Sequence, residues 1–242
     1  MTELRINDDL VRWTVDRRPA TADEALRALE TRPLVLLMHG FGSFEGDLIS
    51  LAAELPDGIV CASPRAPLTL PPPTVNGYAW WEIVFRADGT VVRSDPPAFE
   101  DSDAHTATLA ILAWLDALDA RVAGGLRTVV PLGFSQGGCM VTSLLRMQPT
   151  RFPCGVNCSG FVAPGSYAGD PELAAIRPPL FWGRDPADPI IEAERIDATA
   201  VWSAAHTAIE AHIYHGIGHG IGREEIADIS AFIERHLAEA EH

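Results

Sequence analysis

The stretch Thr128-Val-Val-Pro-Leu-Gly-Phe-Ser-Gln-Gly-Gly138 decides the fold of this chain. Its apolar first half predicts a strand, and the helical pattern over residues 136–148 predicts a helix directly after it. Ser135 lies at the tip of the tight turn between them. Gly133 and Gly137 lie two residues to either side, where a Cβ would collide with the neighbouring strand or helix. The stretch therefore predicts a strand, a sharp turn and a helix, with a strained serine at the turn.

This spacing, G-x-S-x-G, is typical of a turn that presents a nucleophilic serine. Because the predicted helix begins just after Ser135, its free N–H groups and the positive end of its dipole would face an oxyanion formed there. A Gly-rich turn with an ordinary exposed serine is the alternative interpretation, since the bare motif also occurs by chance. The flanking strand and helix patterns favour the catalytic interpretation.

Length and composition limit the classes of protein to consider. The chain has 242 residues, which suits one large α/β domain, and we expect a single domain over residues 1–242. A net charge of −15 makes nucleic acid and anionic membrane poor partners. No apolar run reaches the roughly 18 residues of a membrane span, and the polar N-terminus does not resemble a signal peptide. We therefore expect a soluble, cytoplasmic protein, for which the sequence leaves a homodimer open.

The cysteines give little sign of a metal site. Three of the four lie in or beside apolar runs, where a free thiol behaves as a small hydrophobic group. Cys154 and Cys158 have a loose metal-ligand spacing, but the alternation around Val156 favours a buried strand, and no second ligand pair follows. We therefore predict no metal, no cofactor and no disulfide, while a cysteine pair stays open.

Apolar runs alternate with helical patterns along most of the chain. The predicted strands cover residues 10–16, 33–38, 58–63, 128–132, 152–159, 179–183 and 209–214. The predicted helices cover residues 21–32, 44–55, 99–122, 136–148, 190–208 and 223–240. Several strands are continuously apolar, as in parallel sheets covered on both faces. The alternation predicts a three-layer α/β/α sandwich around a mainly parallel sheet.

A proline-rich stretch, residues 64–79, interrupts this alternation and excludes a helix or a central strand there. Two short strands are predicted next, joined by a turn at Asp88-Gly89. Long irregular segments in compact domains are usually functional, so we expect residues 64–85 to wall the substrate pocket. The apolar members of this wall are Leu68, Leu70, Val75, Tyr78, Trp80 and Trp81. The predicted substrate-binding residues among them are Leu70, Trp80 and Trp81, although one tryptophan is expected to pack against the sheet instead.

A serine nucleophile needs a histidine base, which in turn needs an orienting acid. After a serine on such a turn, the acid and then the base follow in chain order. Asp185 and Asp188 follow the last predicted strand but one, although Asp-Pro also signals an ordinary turn. His215 and His219 follow the last predicted strand. The glycines around His219 suit a loop that brings an imidazole close to the serine.

An oxyanion formed at the serine needs two N–H donors. One is the amide of Gln136, the residue after the serine, and the other comes from the loop after an early strand. His39-Gly-Phe-Gly42 is that loop, which makes Phe41 the predicted second donor. His39 itself is predicted to be a structural hydrogen-bonding residue.

Taken together, these features resemble the carboxylesterase/phospholipase family, which includes the acyl-protein thioesterases. The resemblance spans roughly residues 33 to 237 and rests on His39-Gly-Phe-Gly42, Ser63-Pro-Arg-Ala-Pro67, Trp80-Trp-Glu-Ile83, Gly133-Phe-Ser-Gln-Gly-Gly138, Asp188-Pro-Ile-Ile191 and Gly218-His219-Gly220. It implies an α/β-hydrolase fold. It also implies that Asp188, not Asp185, is the acid and that His219 is the base.

The expected activity is that of a serine hydrolase acting through an acyl-enzyme on Ser135. Its expected substrate is a small-molecule carboxylic ester with a short to medium acyl chain, a thioester or a lysophospholipid. Glu82 and Glu192 depart from the aspartate and proline that this family usually has, which concerns substrate choice. A non-catalytic small-molecule-binding protein is the alternative on the same fold. An acyltransferase or a perhydrolase would use the same residues and differ only in the fate of the acyl-enzyme.

Overall fold

The computed structural model describes residues 4–71, 77–87, 91–92 and 95–240. Within these residues the strands are β1 (Arg12–Val15), β2 (Arg18–Ala20), β3 (Leu34–Met38), β4 (Val60–Ser63), β5 (Leu68–Thr69), β6 (Tyr78–Ala79), β7 (Val129–Phe134), β8 (Gly155–Cys158), β9 (Pro179–Arg184) and β10 (Ala208–Ile213). Eight of them form one sheet in the order β10-β9-β8-β7-β3-β4-β1-β2. Neighbours from β10 to β4 run parallel, whereas β1 pairs antiparallel with both β4 and β2.

The helices separate most of the parallel strands along the chain. They are α1 (Ala22–Leu29), α2 (Asp103–Asp119), α3 (Gln136–Met147), α4 (Asp170–Ile176), α5 (Ala193–His206) and α6 (Arg223–Ala240). The start of α1 follows directly from its sequence. Thr21 Oγ1 accepts the N–H of Glu24, and the Glu24 carboxylate accepts the N–H of Thr21, so that the two residues form a capping box.

Two hydrophobic cores lie on opposite faces of the sheet. Strand β3 shows this directly, because its even-numbered residues belong to one core and its odd-numbered residues to the other. Helices α1, α2 and α3 cover the first core, and α6 with a short 3₁₀ helix covers the second. The fold is therefore the predicted three-layer α/β/α sandwich with a mainly parallel sheet.

One predicted α-helix has a different helix type in the structure. The helix predicted over residues 44–55 is a 3₁₀ helix, Leu48–Ala53. Its N-cap residue, Asp47, makes no side-chain capping bond. Gly46 before it lowers the helix propensity, and Pro56 after it disfavours a helical residue at the preceding position. This leaves too short a segment for a stable α-helix.

Two further elements differ from the prediction. The strand predicted over residues 10–16 is the shorter β1, and it lies inside the sheet beside β2, a strand that the sequence did not predict. Asp16 and Arg17 adopt φ angles of 48° and 64° and turn the chain back into β2, which becomes the edge strand. Helix α4 was not predicted, although Pro171 near its start is a typical first-turn residue.

In the described part of residues 80–92, the two strands predicted after the proline-rich stretch are reduced to an isolated bridge between Phe85 and Val91. The predicted turn at Asp88-Gly89 lies outside the described residues. All four cysteines are free and buried. In the described part of the chain, no helix has the length and apolar character needed to cross a membrane. The same residues contain no group of three or more potential metal ligands placed to hold an ion.

Candidate active site

Ser135 occupies the turn between β7 and α3, with φ of 54° and ψ of −113°. Residues other than glycine rarely adopt a positive φ, and such strain is common at functional sites. A Cβ on Gly133 would lie 2.1 Å from the carbonyl oxygen of Gly137, and a Cβ on Gly137 would lie 1.8 Å from that of Met38. The predicted steric need for both glycines is therefore confirmed.

The structure brings Ser135, His219 and Asp188 into one hydrogen-bonded chain. His219 Nε2 lies 2.9 Å from Ser135 Oγ, and His219 Nδ1 lies 2.7 Å from Asp188 Oδ2. Because an ionised carboxylate only accepts, Nδ1 carries the proton and Nε2 is left to accept from the serine hydroxyl. The Asp188 side chain is 2% exposed and that of His219 is 15% exposed, so these bonds are largely shielded from water. This arrangement can move a proton from serine to imidazole.

Asp188 is itself held by the turn that follows it. Its other carboxylate oxygen accepts the N–H groups of Ile190 at 2.8 Å and Ile191 at 3.2 Å. These bonds leave Oδ2 directed at the imidazole. Asp188 therefore both forms the Asp-Pro turn and contacts His219.

The two competing candidates lie elsewhere. Asp185 accepts the N–H of Ala187 at 2.9 Å and that of Gly218 at 2.8 Å. These backbone N–H groups hold the pKa of Asp185 below its ordinary value, because they favour the ionised form. His215 is exposed on the loop after β10. Asp185 thus fastens the loop that carries the histidine, a contact that sequence reasoning missed.

Two more residues that sequence reasoning missed hold the same loop. The hydroxyl of Ser159 donates to the carbonyl of Gly220 at 3.3 Å, and the Glu225 carboxylate accepts the N–H of Gly222 at 3.2 Å. Together with Asp185, they fix the backbone on both sides of His219. Their positions gave a weak signal, since Ser159 ends a predicted strand and Glu225 lies in the first turn of the closing helix.

Glu225 is a fully buried acid behind this loop. One of its carboxylate oxygens, Oε1, has no hydrogen-bond partner in the described part of the chain. Burial raises its pKa from 4.5 to about 7, against the opposing effects of the Gly222 N–H and the Cys158 thiol. The charge of Asp228 raises it further.

The loop after β3 runs beside Ser135. A Cβ on Gly40 would lie 3.4 Å from Ser135 Cβ and 3.1 Å from the ring of Phe134. The amides of Phe41 and Gln136, the two predicted oxyanion donors, donate to no other residue in the described ranges. Both are therefore available to a bound group beside Ser135, and their role stays a prediction.

His39 has the structural role predicted for it. Its Nδ1 donates to the carbonyl of Gly40 at 2.8 Å, and its Nε2 accepts the N–H of Ala66 at 3.1 Å. This pairing requires the neutral ring with the proton on Nδ1. Burial lowers the pKa of His39, which keeps the ring neutral.

The predicted pocket residues need correction. Trp80 is fully buried in the core, where its Nε1–H donates to the carbonyl of His39 at 2.8 Å. Leu70 is also buried, and its N–H donates to the carbonyl of Gly77 at 3.0 Å. Neither residue lines the cavity, whereas Trp81 does. An indole N–H needs an acceptor when buried, and the acceptor for Trp80 lies on the core side. Val75 lies outside the described residues.

A cavity of about 510 Å³ opens beside Ser135 and His219. Its wall is mainly apolar and includes Phe41, Trp81, Phe85, Phe161, Ile190 and Ile191. Four charged side chains also line it, namely Glu82, Asp103, Glu192 and Arg195. The volume and apolar character suit a small organic ligand with few polar anchors.

Comparison with solved structures shows the fold. Esterase PE8 superimposes with a TM-score of 0.69 at 22% identity, covering 97% of this chain and 99% of that one. A carboxylesterase from Mesorhizobium loti gives 0.69 at 20% identity, covering 96% and 99%. SOBER1 of Arabidopsis thaliana gives 0.66 at 21% identity, covering 86% and 100%. The α/β-hydrolase fold is therefore confirmed.

Comparison of sequences shows the family. A probable carboxylesterase from Oryza sativa subsp. japonica is 29% identical over 127 residues, which are 50% of this chain and 47% of that protein. The match thus spans about half the length of this curated relative. The family model described as phospholipase/carboxylesterase matches residues 25–237, most of the chain. The chain therefore belongs to the phospholipase/carboxylesterase family.

Proposed function

We propose that the protein is a carboxylesterase-type serine hydrolase that cleaves esters through an acyl-enzyme on Ser135. The observation that carries the proposal is the bond of 2.9 Å between His219 Nε2 and Ser135 Oγ at the wall of an apolar cavity. Family membership supports the same class of reaction. The strained backbone of Ser135 is also typical of a nucleophile held on a sharp turn.

The first half of the reaction forms the acyl-enzyme. His219 Nε2 takes the hydroxyl proton while Ser135 Oγ attacks the ester carbonyl, and Asp188 stabilises the imidazolium that results. The carbonyl oxygen becomes an oxyanion that accepts the N–H groups of Phe41 and Gln136. When the tetrahedral intermediate collapses, His219 returns the proton to the departing alcohol.

The second half releases the acid. Water enters in place of the alcohol, and His219 takes one of its protons as the oxygen attacks the acyl carbonyl. The same two amides stabilise the second oxyanion. Collapse returns the proton to Ser135 Oγ and frees the carboxylic acid. With an alcohol or hydrogen peroxide in place of water, the same residues would give transfer or perhydrolysis.

The cavity wall supports a preference for uncharged acyl groups of short to medium length. Each methylene buried against such a wall contributes about 0.8 kcal/mol, so the preference should be broad. Like Phe85, Trp81 is an aromatic residue of the irregular segment 64–85 that lines the cavity. It packs edge-on against Phe161 with ring centroids 6.5 Å apart. We therefore assign Trp81 to the acyl-binding wall.

This proposal is tested with p-nitrophenyl esters from acetate to decanoate, assayed with the wild type and Trp81→Ala. We expect the wild type to hydrolyse the short and medium esters best. We expect Trp81→Ala to lose more kcat/KM on the longer esters than on acetate, because it removes apolar contact surface. Trp81→Phe is the matched control and should keep most of the activity on longer chains. Equal losses at every chain length would assign Trp81 to the fold, and a wild type inactive on the whole series would contradict the proposed function.

A further inference from the structure

The two amides proposed to bind the oxyanion come from distant parts of the chain. Phe41 lies in the loop after β3, and Gln136 is the first residue of α3. Oxyanion donors act through geometry and must be held within about 0.5 Å of their working positions. Contacts that connect the loop after β3 to the start of α3 are therefore required.

Trp80 makes that connection with two hydrogen bonds. Its indole Nε1–H donates to the carbonyl oxygen of His39 at 2.8 Å, two residues before Phe41. Its backbone N–H donates to Oε1 of the Gln136 side chain at 3.0 Å. Trp80 is 0% exposed, so water does not compete for either bond.

The two residues that Trp80 binds, Gln136 and His39, make further contacts of their own. Gln136 Nε2 donates to the carbonyl oxygen of Trp81 at 2.9 Å, so the glutamine side chain binds the backbone of two successive residues. The His39 ring lies 5.6 Å from the Trp80 ring, between centroids, and donates to Gly40 on the path to Phe41. The bonds form one chain from the Gln136 side chain to the loop that carries Phe41.

The backbone around these hydrogen bonds is closely packed, which leaves little room for the loop after β3 to shift. The N–H of Gly42 donates to the carbonyl of Tyr78 at 2.9 Å, and the N–H of Tyr78 donates to that of Ser43 at 2.8 Å. A Cβ on Gly77 would lie 1.9 Å from the carbonyl oxygen of Gly42. The segment that ends in Trp80 therefore lies directly against the loop that carries Phe41 and is hydrogen-bonded to it.

We infer that Trp80 is a positioning residue that sets the distance between the Phe41 and Gln136 amides. The inference rests on the proposed function, since it concerns the oxyanion of that reaction. Trp80 does not line the cavity, so it acts through the loop and the glutamine and not on substrate. Its loss should weaken transition-state stabilisation and leave ground-state binding nearly unchanged.

Trp80→Phe tests this with the smallest chemical change. Phenylalanine keeps an aromatic ring in the core but removes the Nε1–H, which leaves the His39 carbonyl without that donor. We expect kcat on p-nitrophenyl butyrate to fall about 10- to 100-fold while KM stays within about threefold. An alkyl trifluoromethyl ketone, whose serine adduct carries an oxyanion, should lose affinity by the same factor as kcat/KM falls.

Trp114→Phe is the matched control. Trp114 is also a buried tryptophan, and its Nε1–H donates to Asp8 Oδ1 at 3.0 Å, but it lies on α2 and does not line the cavity. All variants are assayed well below their measured unfolding temperatures. A purely structural role for Trp80 would lower stability in both variants and leave kcat of the folded enzymes unchanged.

Gln136→Met provides a second and independent variant. It keeps the backbone N–H assigned to the oxyanion but removes both side-chain bonds to the tryptophan segment, so it should show the same fall in kcat. If Trp80→Phe does not fold, this variant carries the test alone. Wild-type kcat and inhibitor affinity in the folded variants would overturn the inference. Failure of the proposed function is a separate result, because hydrolysis would then persist in Ser135→Ala.

Discussion

Asp185 and Asp188 lie three residues apart and have identical side chains, but they make different contacts in this structure. Asp188 reaches the imidazole of His219 at 2.7 Å, whereas Asp185 accepts the backbone N–H of Ala187 in its own turn and that of Gly218 in the loop that carries His219. Both precede a proline and follow the same strand, so residue type and spacing left them undecided. The fold of this turn places Asp188, and not Asp185, beside His219. In the sequence, only the family resemblance pointed to Asp188.

We predict different consequences for the same substitution at these two positions. Asp188→Asn should lower kcat by up to about 10⁴-fold, because the amide no longer holds the imidazole in its working tautomer. Asp185→Asn should keep most of the activity, because its amide oxygen can still accept one of the two N–H groups. Steady-state hydrolysis of p-nitrophenyl butyrate measures both variants. The opposite order would move the acid to Asp185.

The neighbouring tryptophans show what residue patterns cannot supply. Trp80 and Trp81 follow a proline-rich stretch without helical or strand periodicity, so no pattern tells which ring faces the core. The structure places Trp80 in the core and Trp81 on the cavity wall. The deciding contact is made by the Gln136 side chain, which is distant in sequence and binds the backbone N–H of Trp80 and the carbonyl oxygen of Trp81.

At the scale of elements, the turn at Ser135 was predicted best because its information is local. The strand, both glycines and the helix start all lie within a short stretch, and steric exclusion at the glycines dictates the turn. The 3₁₀ helix Leu48–Ala53 was mistaken for an α-helix because apolar spacing does not report missing caps. The strands expected after the proline-rich stretch depended on pairing, which local patterns specify weakly.

Gly137→Ala tests the steric account of the turn. The added Cβ would lie 1.8 Å from the Met38 carbonyl oxygen, so β3 or α3 must move. We expect a loss of about 3 kcal/mol or more in the free energy of unfolding, measured in urea, together with loss of hydrolysis. Gly58→Ala is the control, since Gly58 has φ of 77° but no atom within 4 Å of the added Cβ. It should cost only about 1–2 kcal/mol, and equal losses would remove the steric argument.

At the scale of the whole molecule, the parallel sheet gathers residues that are far apart in sequence. Phe41, Ser135, Asp188 and His219 follow β3, β7, β9 and β10, and parallel strands present these carboxyl ends at one edge. Alternating patterns were sufficient to predict this. They could not predict the loop contacts of Ser159 and Glu225. The single domain over residues 1–242 stays a prediction, and the two cores that share one sheet agree with it.

The stability of the whole molecule should depend on Glu225. Its pKa is raised from 4.5 to about 7 in the folded state, so the folded state binds the proton more tightly than the unfolded chain does. The contribution of protonated Glu225 to the stability of the folded state is complete below pH 4.5 and is lost as the pH rises through about 7. Glu225→Gln keeps a neutral side chain at every pH. Between pH 4.5 and pH 8, the free energy of unfolding of Glu225→Gln should therefore rise relative to that of the wild type by on the order of 3 kcal/mol.

Urea unfolding of both proteins at a series of pH values measures this difference. Glu234→Gln, at an exposed position of the same helix, is the control and should follow the wild type. A stability difference between Glu225→Gln and the wild type that does not change from pH 4.5 to 8 would contradict the role assigned to the buried carboxyl.

The central claim is that Ser135 is the nucleophile of an ester hydrolase, and covalent labelling tests it most directly. The wild type, Ser135→Ala and His219→Ala are incubated with a fluorophosphonate, and the adduct is located by peptide mass spectrometry. We predict a single adduct on Ser135 of the wild type, much slower labelling of His219→Ala, and neither labelling nor ester hydrolysis with Ser135→Ala. An adduct on another serine, with hydrolysis intact in Ser135→Ala, would contradict the account.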